Sequence, residues 1–427
     1  MSAGAAPDRV WDVAVVGGGP AGSTAAATLC RLGRSVVLLE KTPHPRFHIG
    51  ESLLPFTLGA MRKSGFLPVL ERSGFVPKMG GRFMTANNEI GHTFYFSDAF
   101  TPEFPSTYQV LRSRFDHLML EHSRSCGADV RENHTLRDVT FSADRVTLDV
   151  ADPAGQPYRL AARYLADATG RDAFLAGKLA LRVPEPDLRK VAIFAHFTGC
   201  VRDAGRDAGN TISVLIRGGW IWSIPLPDDV TSIGVVVDGD VFKAARQTPE
   251  AYFMDVLARV PVMASRIAAA TRVSPVHTTS DFSYGTKALT GRRWLLLGDA
   301  GFFLDPIFSS GVHLAVTSGV AAAEAIHDAL ARPSRAAGAL ARYARTMRHN
   351  QHVYRTFIRG WYEPGFLELL LSPSRRFQLL EAVTSVLAGA PKSWSLSWRL
   401  RLFRSLVWIN QRVMSLAPPF DRSQLPP

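Results

Sequence analysis

The stretch DVAVVGGGPAGSTAAATLCRLGRSVVLLEK, Asp12 to Lys41, decides the fold. Asp12 to Val16 is an apolar run of the kind that forms a strand buried on both faces. Gly17, Gly19 and Gly22 then make a G-x-G-x-x-G turn, Ala21 to Leu32 reads as a helix, and Val36 to Leu39 reads as a second strand ending at Glu40. The three glycines differ in what they permit. The first makes the tight turn, the second lets backbone approach a pyrophosphate, and the third lets helix and strand pack closely. The helix N-terminus attracts the phosphates. Glu40, eighteen residues after Gly22, is placed to accept ribose hydroxyls and disfavours a 2′-phosphate. The unit therefore predicts the ADP-ribose part of FAD or NAD. Gly17, Gly19, Ala21, Gly22 and Glu40, with the neighbouring Lys41 and Arg46, are the cofactor-binding candidates.

Outward from that unit, two segments read as the return of the same nucleotide domain. ARYLADATGR (Ala162 to Arg171) is a strand ending in a small-residue turn. Trp294 to Leu297 is a buried strand, followed by a Gly-Asp turn and a long helix from about Gly311. Between them, runs such as AIFAHFTGC, ISVLIRGGWIWSIPL and VTSIGVVVDG read as an antiparallel sheet. After Arg332 the pattern is helical, and APPFDRSQLPP (Ala417 to Pro427) reads as a frayed tail. The expected division is a discontinuous FAD-binding domain (10–110, 160–178 and 290–331), a sheet domain (179–289 with part of 76–110), and a helical region covering the site (332–427). The fold class is α/β: a Rossmann-like FAD-binding domain interleaved with an antiparallel-sheet substrate domain, plus a C-terminal helical lid.

Composition sets limits. The 427 residues are 46% hydrophobic and 20% charged, enough for a large core in two or three interlocked domains. Cys30, Cys126 and Cys200 form no close pair, so neither a disulfide framework nor a thiolate metal site is expected. The first residues show no basic region ahead of an apolar stretch, and no apolar run reaches about 18 residues, so a cytoplasmic protein without a transmembrane segment is expected. The net charge of +12 is uneven: from Arg332 onward there are fifteen Arg and Lys against four Asp and Glu, while residues 1–331 hold thirty-four against thirty-three. A basic terminus points to an acidic carrier protein or an anionic membrane surface, or to a solvated helical face with no partner. Without a recognition motif, nucleic acid is not expected.

Taken together, the dinucleotide fingerprint, DATGR, GDA and the intervening sheet resemble FAD-dependent oxidoreductases of the para-hydroxybenzoate hydroxylase type over about residues 10–330. Three motifs resemble the flavin-dependent halogenases within that group. FHIGESLLP (Phe47 to Pro55) is similar to their G-E-S-L-L-P segment beside the flavin, WIWSIP (Trp220 to Pro225) matches their W-x-W-x-I-P, and FLDPIFSSG (Phe303 to Gly311) is similar to the F-x-x-P-x-x-S-x-G of the phenol- and pyrrole-halogenating members. The resemblance implies that Gly50, Glu51, Ser52, Arg112 of VLRSRFD and Asp299 of GDA touch FAD. It implies that the active-site lysine is Lys78, twenty-six residues after Ser52, whereas Lys63 reads as an exposed helix residue. The amides of Ser310 and Gly311 would hold the halide, and Pro306, Phe308, Trp220 and Trp222 would stand near the site, the two tryptophans filling the space where related monooxygenases seat their substrate.

The implied chemistry is FADH2- and O2-dependent chlorination or bromination. A flavin hydroperoxide oxidises halide to hypohalous acid, and Lys78 either hydrogen-bonds that acid or carries the halogen as a haloamine to an electron-rich ring. A lysine suits this because burial frees its amine, whereas an arginine would stay protonated. Tryptophan halogenases have Glu immediately before the S-[ST]-G unit; Phe308 stands there and favours a phenol or pyrrole, free or tethered to a carrier protein. No second G-x-G-x-x-G is evident for a nicotinamide, so reduced flavin is expected from a separate flavin reductase. The competing readings are a monooxygenase or prenyl reductase on the same fold, and an electron-transfer flavoprotein.

Overall fold

The structure, a computed structural model, describes residues 9–100, 102–280, 283–373, 376–391, 393–418 and 425. The reading of 417–427 as a frayed tail falls mostly outside them.

The opening strand, Val10–Val16, lies at the centre of a sheet ordered Thr290–Gly291, Trp294–Leu296, Pro157–Asp167, Val10–Val16, Val36–Glu40, Asp129–Glu132. The last four pairings are parallel, and Val13 to Val16 are buried in one cluster with Ala25, Leu29, Val139 and Leu148, from helix and hairpin alike. Residues 111–159 also enter this layer, as helix Arg112–Ser125, strand Asp129–Glu132 and the hairpin Thr135–Phe141/Val146–Ala151. Helix Pro20–Arg31 starts at the Gly-rich turn with Pro20 in its first turn, where the missing N–H costs nothing. It packs against the long helix Ser310–Ala331, closely enough that a Cβ on Gly319 would lie 2.6 Å from the Ala21 carbonyl.

A second sheet runs Thr271–Arg272, Lys190–Thr198, Thr231–Asp238, Gly219–Pro225, Thr211–Ile216, Gly80–Thr85, Gly91–Tyr95. It is antiparallel except where Thr211–Ile216 pairs in parallel with Gly80–Thr85. Its strands do not alternate apolar and polar: all of Gly219–Pro225 is buried. The reason is a layer on each side. Helices Gly239–Ala245, Pro249–Arg259 and Pro261–Ile267, within the interval expected to be sheet, supply an outer layer, with Phe253 and Leu257 packed in one cluster with Ile193, Val214 and Val235. Burying a side chain such as Phe253 contributes about 1.5–3 kcal/mol. The opposite face, carrying Phe194, Trp220, Trp222 and Ile224, turns towards the first sheet and the C-terminal helices.

Those helices are Ala336–Trp361, Pro364–Leu371, Leu379–Leu387 and Trp394–Arg412. Leu396, Phe403 and Val407 bury one face of the last. Among the described residues no helix is long and apolar enough to cross a membrane.

Candidate active site

A cavity of about 830 Å³ runs between the two sheets. Its floor at one end is the Gly-rich turn. Gly17 has φ +105° and a Cβ there would lie 2.2 Å from the Ala168 carbonyl, so only glycine lets the two strand ends close. Glu40 accepts from the Gly18 N–H (2.7 Å) and the Thr42 N–H (2.8 Å), which fixes its carboxylate at the wall of the cavity. Gly19, Ala21, Lys41 and Arg46 line the same end, and Lys41 pairs with Asp172 across it. Gly22 does not line the cavity; its α-carbon packs on the Gly17 carbonyl, which a Cβ would meet at 1.9 Å.

The segment Phe47 to Leu54 straps over the middle. It is pinned by Val110 N–H to the Glu51 carbonyl (2.7 Å), Leu53 N–H to the Tyr108 carbonyl (3.1 Å) and a bridge between Ser52 and Gln109. Arg112 holds it from below: its guanidinium donates to the Ile49 carbonyl (2.5 Å) and, through two nitrogens, to Asp116 (2.7 and 2.8 Å). Burial alone would raise Asp116, but the Arg112 charge and hydrogen bonds outweigh it and keep that carboxyl ionised. Glu51 is buried; one oxygen accepts from His196 (2.7 Å) and the other has no partner among the described residues. Asp299, also on the wall, is raised to about 7 by burial, opposed by Arg112 and Arg171.

These features fit FAD. The glycine cradle leaves room for a pyrophosphate, Glu40 stands where ribose hydroxyls would donate, and Glu51, a lining residue, keeps one oxygen without a partner among the described residues. At the far end, Trp220 and Trp222 line the wall with ring centroids 5.7 Å apart, and Trp222 donates to the Ser232 hydroxyl (3.1 Å). Gly234, paired with Trp222 on the next strand, makes space for that ring: a Cβ would sit 2.1 Å from it. Pro306 and Gly311 line the cavity, and the N-terminus of helix Ser310–Ala331 opens there with Ser309 at φ +54°. Ser310 is buried outside the lining.

Lys78 does not line the cavity. It ends strand Val76–Lys78, 3% exposed, and its Nζ donates to the Ser52 hydroxyl (2.8 Å) and the Leu53 carbonyl (3.1 Å) with the Phe96 ring 5.2 Å away. Burial lowers its amine to about 7. Gly80 and Gly209 permit this depth, since Cβ atoms there would strike the Phe94 and Pro77 carbonyls at 1.9 and 1.7 Å. Lys63 is exposed and pairs with Glu324. Phe308 also lies outside the lining; it packs edge-on against Phe83, Phe357 and Trp361, below the C-terminal helices.

Several lining groups had no sequence signal. Thr211 and Ser213 sit at a half-buried and a buried strand position, Arg171 hydrogen-bonds Thr279 across the cavity, and Phe47 stacks on His277 at 4.2 Å.

Residues 10–350 match the FAD binding domain family. The chain is 29% identical to a 1H-pyrrole-2-carbonyl-[peptidyl-carrier protein] chlorinase of Pseudomonas fluorescens, over 83% of each chain. It is 31% identical to a tryptophan 2-halogenase of Chondromyces crocatus, over 82% of this chain and 67% of that one. The solved flavin-dependent brominase Bmp2 superposes with a TM-score of 0.83 at 28% identity, covering 95% of this chain and all (100%) of that one. Several fungal relatives are longer, and the chain spans 64% of their length. With a family match across most of its length and halogenases as its relatives, this chain belongs to the flavin-dependent halogenases.

Proposed function

We propose that this enzyme chlorinates or brominates an electron-rich aromatic ring, a pyrrole or phenol, using FADH2, O2 and halide in the cytoplasm. The observation that carries the reading is Lys78: a buried amine with no carboxylate partner among the described residues, separated from the FAD-sized cavity by one serine. A structural lysine would be expected to pair or to snorkel to water. Bound and reduced, FAD supplies the electrons with which O2 oxidises halide to hypohalous acid.

The chain does the rest. Gly17, Gly19, Gly22 and Glu40 hold the ADP end, while Arg112, Asp299 and the Gly50–Ser52 strap hold the flavin end. The N–H groups of Ser310 and Gly311, in the first turn where helical partners are lacking, hold the halide. Trp220 and Trp222 fill the wall against which a substrate would otherwise lie, which favours halide as the species oxidised. Lys78 takes the halogen as a haloamine and passes it to the ring. The buried, unpaired setting favours the neutral amine that this needs. We divide the chain accordingly into a FAD-binding part (10–110, 160–178, 290–331, joined by the helix, strand and hairpin of 111–159), a sheet part (179–289 with part of 76–110) and the helical lid (332–427).

The carrier-bound pyrrole is the favoured substrate. It rests on the likeness to a carrier-protein pyrrole chlorinase and on the basic lid: Arg401, Arg404 and Arg412 are exposed on the last helix. An indole is the second reading, favoured by the tryptophan 2-halogenase and opposed by Phe308 where tryptophan halogenases carry Glu. Reduced flavin comes from a separate reductase.

The test supplies FADH2, O2 and chloride or bromide with carrier-bound pyrroles, phenols and indoles, and reads products by mass, with Lys78→Ala alongside. Halogenated product from the wild type that vanishes in Lys78→Ala, with FAD still bound, is expected. Hydroxylated product indifferent to halide would move the chain to the monooxygenases.

A further inference from the structure

Lys78 lies behind the cavity wall, and the one side chain it hydrogen-bonds among the described residues, Ser52, belongs to that wall. Ser52 is one of four linked groups. Its hydroxyl is 3.0 Å from the Thr211 hydroxyl, which also lines the cavity. Gln109, fully buried and outside the lining, donates from its amide nitrogen to Thr211 Oγ1 (2.9 Å) and to the Gly209 carbonyl (2.9 Å). The Gly209 carbonyl fixes the orientation of that amide, because a reversed amide would set oxygen against oxygen.

Hydrogen counting then constrains the rest. Both Gln109 amide hydrogens are committed. The two hydroxyls own two hydrogens and share one between them, since Ser52 Oγ already accepts from Lys78 and Thr211 Oγ1 already accepts from Gln109. Whichever hydroxyl donates to the other, one O–H is left over, and both residues line the cavity. A continuous path therefore runs from Lys78 Nζ–H through Ser52, directly or by way of Thr211, to a hydrogen presented at the cavity wall.

We infer that the Ser52–Thr211 hydroxyl pair, braced by Gln109, is a proton route through which Lys78 serves as the acid for halide oxidation before it accepts the halogen. This rests on the halogenase reading above. The balance supports it. Oxidation of halide by O2 with the two electrons and two protons of the reduced flavin gives hypohalous acid and water only if one more proton is supplied. The Lys78 ammonium supplies that proton along the path and is left as the neutral amine. The Ser52 hydroxyl now points a hydrogen at the Lys78 lone pair, and a turn about the Cε–Nζ bond, with Ser52 Oγ and the Leu53 carbonyl again accepting N–H, frees that lone pair. Hypohalous acid then gives up its halogen to that lone pair: the N–X bond forms, the X–O bond breaks, and the departing hydroxide takes an N–H proton as water. The groups facing Lys78 are Ser52 and Leu53 of the strap, Phe96, and Thr107 on the paired strand, none of them ionisable. Glu51, next to Ser52 in the strap, is engaged by His196.

The experiment reads the path without activity first. The chain has eight lysines, few enough to follow Lys78 by its side-chain nitrogen in lysine-labelled protein. Exchange of the Lys78 ammonium hydrogens with solvent should slow in Thr211→Val, which keeps the shape but leaves only the direct Ser52 route, and recover in Thr211→Ser. Ser52→Ala should slow it further. At saturating FAD, product formed per FADH2 consumed should fall by up to about tenfold in Thr211→Val, the effect of one lost hydrogen bond, and recover in Thr211→Ser. Unchanged exchange and unchanged coupling in both Ser52→Ala and Thr211→Val would overturn the inference even if the wild type halogenates. Slowed exchange in the variants, with a wild type that makes no halogenated product, would keep the path and overturn its assigned use, locating the failure in the halogenase reading.

Discussion

At the scale of the residue, two buried ionisable groups set the pH behaviour. Lys78 is lowered to about 7 by burial. If the neutral amine carries the halogen, transfer from preformed hypohalous acid to substrate should rise as pH is raised through about 7, and stopped-flow traces at several pH values would show it. Lys78→Arg, which cannot deprotonate, should lose product at every pH while still binding FAD. Asp299 is raised to about 7 by burial. Its folded form holds a proton that the unfolded chain releases near pH 4, so it costs stability progressively as pH rises from about 4 to 7. Asp299→Asn should therefore raise the Tm of flavin-free protein at pH 8 and leave it nearly unchanged at pH 4. Lys78 could be picked out by its distance from the G-E-S motif, but only through a family resemblance. Its supports could not be. Ser52 and Thr211 are 159 positions apart, and a Thr at the start of a strand or a lone Gln carries no periodicity that betrays a partner.

At the scale of the element, the strands were legible because sheets covered on both faces read as apolar runs with glycine breaks. The three helices between 239 and 267 were overlooked for a specific reason. Their start signals are short: Thr248 caps the second, with Pro249 in its first turn and Glu250 beside it, and strand-like runs dominate either side. The Trp220/Trp222 motif was visible, but the glycine opposite was not, since pairing registers cannot be read from one sequence. Gly234→Ala should cost about 1–3 kcal/mol through overpacking against Trp222. Adding Trp222→Phe should recover part of that loss, and a double-mutant cycle by urea unfolding measures it.

At the scale of the whole molecule, charge and shape agree on where a partner would approach. The last helix buries its apolar side and turns outward Arg401, Arg404 and Arg412 with Trp394 (84% exposed) and Trp408 between and beside them. A helix lying in a membrane surface would present its apolar face to lipid; here that face is spent on packing. Reversing the three arginines to Glu should raise KM for a carrier-bound substrate by about tenfold or more at low salt, leave kcat and turnover of free phenols alone, and lose its effect as salt increases. The uneven charge was plain from composition; which face carries it required the fold.

The wall of the cavity has one more property. The chain contains nine Met and three Cys, yet among the described residues the lining includes no thioether, thiol or phenol. Those are the groups an escaping oxidant destroys first. The most readily oxidised groups left there are the indole pair, Trp220 and Trp222, so on the proposed chemistry those two rings would set the working lifetime of the catalyst. Enzyme worn out by turnover should carry its added oxygen or halogen on one of them, and a peptide map of spent protein would read the damage directly.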